Sequence, residues 1–172
     1  MNTEAHEIQA TKSWLEQFVI GLNLCPFAAK PFRENRIHVA LEQSPEPTQI
    51  AGRVIKELER LEVSPDIETT LLITPNALSD FEVYWDFVDI AEAIIEQLGL
   101  TGMFQIASFH PDYCFEGVEP DDPANRTNRS PYPMLHFLRE QSLSEAIATY
   151  PDVAAIPERN VALLRELTTK GL

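Results

Sequence analysis

The chain is 172 residues long and carries 27 acidic against 13 basic residues, a formal net charge of −14. That length fits one α/β domain over 1–172, able to bury about 70 % of its unfolded surface without staples, and a field of that sign repels phosphate backbones, so no nucleic-acid partner is expected. No window approaches the roughly 20 apolar residues of a membrane span, and MNTEAHEIQATKSW lacks an apolar signal core, which predicts no membrane partner and a cytoplasmic location.

Trp14, Leu15, Phe18, Val19 and Leu22 recur at helical spacing and predict a first helix that contains Gly21 and stops at Pro26. A residue before proline is pushed out of the α region, which sets Cys25 at or just past the helix C-terminus, the wrong end to stabilise a thiolate. Ile37, Val39 and Leu41 alternate with His38, Ala40 and Glu42, as in a short strand with one buried face. From Thr48, read as an N-cap, Ile50, Val54, Ile55, Leu58 and Leu61 predict a second helix. Residues 69–74, TTLLIT, read as a strand covered on both faces. Ser79 is the expected cap of a third helix, whose stripe runs through Phe81, Tyr84, Trp85, Val88, Ala91, Ile95 and Leu98, and Gly99 closes it. Residues 103–109, MFQIASF, predict a third strand. The expected fold is α/β, a small three-stranded parallel sheet with crossover helices, an N-terminal helix and C-terminal helices. A short helix is predicted over 133–141, another from Ser142 or Ser144, and a last one through Val161, Leu164 and Leu167.

Between Phe109 and Glu140 the chain shows neither helical nor strand periodicity until Pro133, and it carries two His, one Cys and three Arg. Structureless connections beyond about 12 to 15 residues are uncommon in compact domains and are usually functional or disordered. This one is read as a built site. Ligand sites of open α/β sheets lie outside the carboxyl ends of the strands, where His110 follows the third strand and Thr74 and Asn76 the second. His38, at the opposite end, is read as structural.

Cys25 and His110 are the first chemical candidates, because a thiol beside an imidazole becomes a thiolate nucleophile while the imidazole serves as acid/base. Lys30, Arg33 and Arg36 would lower the Cys25 pKa, whereas the helix end would raise it. Arg129, followed by a helix start before His136, offers a guanidinium fork and free N–H groups to an anion. Arg129, Arg126, Asn128, Tyr132 and His136 are therefore the expected clamp for a small anionic or polar substrate. A second reading makes His110 and His136, with Asp122 or Cys25, a mixed N/O/S set for zinc or iron, although HExxH, paired CxxC and EF-hand spacings are absent. A third is non-enzymatic, a ligand- or partner-binding module presenting Tyr113, Phe115 and Tyr132 as aromatic anchors. The absence of GxGxxG, GxxxxGK[ST] and GxSxG motifs disfavours those nucleotide-dependent and hydrolase classes. Two cysteines are too few for a disulfide scaffold, so both are expected as thiols.

The segments GLNLCPFA (21–28), SFHPDY (108–113) and TNRSPYPMLHFLRE (127–140) resemble the signatures of an uncharacterised bacterial family, domain of unknown function 1415. The resemblance spans most of the chain and implies no activity, substrate or cofactor. As we read the family pattern, Gln follows HPDY where this chain has Cys114, which sets Cys114 aside as a catalytic candidate.

Overall fold

The computed structural model describes residues 3–171. A helix α1 (Thr3–Trp14) runs without a break into a wider π-turn segment (Leu15–Ile20), followed by a short α2 (Ala29–Arg33). The repeating unit comes next, as β1 (Ile37–Leu41), α3 (Pro47–Val63), β2 (Thr69–Ile73), α4 (Phe81–Gln97) and β3 (Phe104–Phe109). A long connection containing a 3-10 turn (Pro123–Thr127) leads to β4 (Met134–Arg139), then α5 (Glu140–Thr149), a second 3-10 turn (Val153–Ala155) and α6 (Ile156–Thr169).

The sheet has four strands in the order β1-β2-β4-β3, one more than expected. β1 and β2 pair in parallel, as predicted, but β4 lies between β2 and β3 and is antiparallel to both. The helix expected over 133–141 is thus a strand. Met134, Leu135 and Phe137 are all buried, because the strand is interior and covered on both faces. Such a short apolar run carries no period that separates helix from strand. His136 accordingly stands in mid-strand, not in the first turn of a helix, and the N–H groups of a helix start are not available beside Arg129.

Alternation along the strands splits the interior in two. Leu72, Leu135 and Phe137 face α3 and α4, joining Ile50, Val54, Leu58, Tyr84, Phe87 and Ala91. Leu71, Ile73 and Met134 face the other way, toward Leu15 and Val19 of the π-turn segment, with Trp14, Phe18, Cys25, Phe109 and Tyr132 around them. β2 is buried at all five positions, as its continuous apolar run predicts.

Helix ends follow local chemistry, with shifts of one or two residues from expectation. Asp80, not Ser79, caps α4, its carboxylate accepting from the N–H groups of Glu82 and Val83 at 3.0 and 3.1 Å. Pro47 opens α3 with its preset φ, and Glu46, not Thr48, is the residue before it. Gly99 takes φ +72° after the last turn of α4, the left-handed conformation that glycine adopts without penalty. The π-turn has its own requirement: Gly21 N–H bonds Glu16 O five residues back at 2.9 Å, and a Cβ on Gly21 would be driven into the Gln17 carbonyl oxygen.

Candidate functional site

The connection from His110 to Pro133 is ordered by its own polar side chains. Asn125 is fully buried; its amide accepts from Phe115 N–H at 2.9 Å and donates to Glu119 O at 2.8 Å. Asn128 donates to Ser108 O at 3.0 Å, and its backbone carbonyl accepts from His110 N–H at 3.2 Å. Arg129 reaches back across the loop, giving Nε to Tyr113 O at 3.1 Å and Nη2 to Pro120 O at 2.7 Å. Asp122 caps the 3-10 turn through Ala124 N–H at 2.8 Å and meets Arg165 of α6 at 2.7 Å.

His110 is completely buried at the carboxyl end of β3. Asp112 N–H donates to Nδ1 at 3.0 Å, so the proton sits on Nε2, which donates to Leu78 O at 2.9 Å. Its ring packs on Phe81 and Tyr84, whose hydroxyl donates to Met134 O and accepts from Phe109 N–H. Burial lowers the imidazole pKa, outweighing the Leu78 carbonyl and the nearby Asp112 and Asp80. His110 is neutral, with both nitrogens engaged, on the α4 side of the sheet.

His136 stands on the opposite face, its ring beside Phe109. Thr69 Oγ1 donates to Phe137 O at 2.6 Å and therefore accepts from His136 Nε2 at 2.6 Å. Burial pushes its pKa down to about 4. The two histidines are separated by the sheet, Asp122 lies out at α6, and among the described residues no group of three or more His, Cys, Asp or Glu converges to hold a metal ion.

Cys25 shares the His136 face, packing against the cluster of Leu15, Val19 and Met134. Both cysteines are free thiols. Burial raises the Cys25 pKa and outweighs the lowering from the Phe27 and Ala28 backbone, so the thiol keeps its proton at neutral pH. Of the basic group expected to activate it, Arg36 is committed to Glu68 at 2.9 Å and to the Asp66 and Pro65 carbonyls. His38, read as structural, lies 3.4 Å from the buried Glu57 carboxylate.

Two cavities open on this second face. A cleft of about 360 Å³ is lined by Trp14, Phe18, Arg126, Arg129 and Ser130. Beside it a larger cavity, about 580 Å³, is bounded by Val19, Leu24, Cys25, Phe109, Thr127 and Asn128 with residues of α6. Arg126 lies over the Phe18 ring at 5.6 Å, and among the described residues neither Arg126 nor Arg129 meets a carboxylate. The arginines expected to work together do share one cleft. Tyr132 packs against the cluster of Leu15, Val19 and Met134, while Tyr113 is buried under Phe81 and Trp85.

Sequence reasoning missed Trp14, Phe18 and Asn160 as site residues, and Asn125, which it offers as an oxygen ligand, instead holds the loop backbone. Asn160 of α6 donates to Leu24 O at 2.7 Å and, with Arg159 on Asn23 O, pins the segment before Cys25. Gly21 inside an otherwise regular apolar pattern was the available signal for the π-turn, a feature frequent at functional sites. Among the described residues no helix is long and apolar enough to cross a membrane. No curated protein and no solved structure matches the chain. Residues 6–172 match the family described as protein of unknown function (DUF1415), and the chain belongs to that family.

Proposed function

We propose that the chain binds a small anionic molecule in the cleft between the π-turn segment and the 126–130 stretch. The observation that carries this reading is the pairing of Arg126 and Arg129 on one concave surface, with no carboxylate on either among the described residues, in a protein where acids outnumber bases 27 to 13. Arginine presents planar, bidentate donors suited to carboxylate or phosphate. Trp14 and Phe18 form an apolar wall that excludes water from one side and strengthens the charge interaction. Two loop carbonyls take Nε and Nη2 of Arg129, so its guanidinium is preorganised and offers a ligand chiefly Nη1, whereas Arg126 is the more independent contact.

Binding is favoured over thiol catalysis on this geometry. A Cys25 nucleophile needs a base to take its proton, and His110 lies beyond the sheet with Nε2 on a carbonyl. On this reading His110 braces the loop that presents the arginines, and His136 and Tyr132 support the floor beneath them.

A panel of small carboxylates and inorganic phosphate, titrated by isothermal calorimetry, tests the proposal. Arg126→Gln should weaken the binding at least tenfold while the melting temperature stays within a few degrees. Absence of binding by every member of the panel, or equal affinity in Arg126→Gln, would overturn it.

A further inference from the structure

The larger cavity has no role in the anion reading, yet it adjoins the cleft residue by residue. Phe18 lines the cleft and Val19 the cavity; Arg126 and Arg129 line the cleft, and Thr127 and Asn128 between them line the cavity. The π-turn segment and the 126–130 stretch thus set a basic cleft and a mainly apolar cavity side by side. At about 580 Å³ the cavity falls within the roughly 300 to 1,000 Å³ of small-molecule sites. Its surface is mainly apolar, furnished by Leu24, Phe109, Phe115 and Ile156 with the protonated Cys25 thiol, and its polar members from α6 are already engaged, Asn160 on Leu24 O and Arg165 on Asp122.

We propose that the two compartments receive one ligand, an amphiphilic anion whose carboxylate or phosphate head meets Arg126 and Arg129 and whose alkyl or aryl body lies in the cavity beside Cys25. The inference rests on the anion reading and adds the chemical class of the ligand. Charge complementarity selects the head, since an uncharged amphiphile would leave the two arginines without a counter-charge. Volume and lining select the body. Inorganic anions and short polar acids satisfy only the cleft.

The test is an alkyl series. Calorimetry with acetate, butanoate, hexanoate and octanoate should give affinities that rise along the series, by up to roughly fourfold for each CH₂ that leaves water. Octanol should bind at least tenfold more weakly than octanoate, and octyl phosphate compared with octanoate tells which head the arginines prefer. In a Cys114→Ser background, octanoate should slow alkylation of Cys25 at least fivefold, whereas acetate should not. Val161→Phe, which fills the cavity from α6, should abolish the chain-length dependence and leave acetate or phosphate binding intact; if that variant fails to fold, the alkylation assay decides.

Equal affinity of acetate and octanoate would overturn the amphiphile inference and leave the anion site standing. Equal protection of Cys25 by octanol and octanoate, unchanged in Arg126→Gln, would show a cavity independent of the arginines and would also overturn it. Failure of every anion, short or long, would remove the anion reading itself.

Discussion

The two faces of the sheet spend their polar groups differently. On the α3/α4 face, His110 and Tyr84 are enclosed, and both His110 ring nitrogens and the Tyr84 hydroxyl have backbone partners, although the buried Thr70 hydroxyl on that face has no partner among the described residues. On the face covered by α1, the π-turn and α6, two arginines stay without carboxylates among the described residues, a thiol lines a cavity, and the helix departs from α geometry. A buried polar group that is satisfied internally stabilises a fold, whereas a donor left on a concave surface is available to a ligand. The first face therefore anchors the long loop, and the second displays it.

The sharpest way to break this contrast is His110→Ala. It would orphan the Leu78 carbonyl and the Asp112 N–H and open a hole among Phe81, Tyr84 and Tyr113, and a loss of about 3 kcal/mol in urea unfolding is expected. Unchanged stability would mean that His110 does not brace the loop and would return it to the list of chemical groups.

Acid titration probes both histidines. Burial holds both folded pKa values below the unfolded value of about 6.5, so the neutral forms favour the fold above that pH and stability is lost as pH falls below it, for His136 down to about 4. His136 accounts for at most about 3 kcal/mol across that window. His136→Gln should flatten the decline between pH 6.5 and 4.5 in chemical denaturation; an identical slope would contradict the assignment.

Gly21→Ala sharpens the other side of the comparison. The added Cβ meets the Gln17 carbonyl, and a cost of about 2 kcal/mol is expected, together with weaker anion binding as Phe18 moves. Wild-type stability and binding in this variant would mean that the π-turn does not set the cleft. The smallest effect belongs to Cys114→Ser: the thiol donates to Val118 O at 3.3 Å, a hydroxyl can do the same, and stability should change by less than about 0.5 kcal/mol.

These contrasts follow how the sequence could be read. α3, β2, α4 and β3 were legible because apolar spacing, Gly99 and flanking prolines agree with one another. β4 was not, since Met134, Leu135 and Phe137 are apolar on both faces and no period distinguishes the two structures. The misplacement of His136 followed from that. The π-turn was hidden because Trp14, Leu15, Phe18 and Val19 keep nearly helical spacing through one widened turn. Arg126 and Arg129 stood out as charges within a long loop, whereas Trp14 looks like any core aromatic. The meeting of α1 with the loop is a long-range contact that residue spacing does not encode.

A crystal structure grown with octanoate tests the central claim most directly. The account predicts the carboxylate within hydrogen-bonding distance of Arg126, beside Trp14 and Ser130, with the alkyl chain directed toward Cys25. A carboxylate bound elsewhere, or an empty cleft at saturating octanoate, would contradict it.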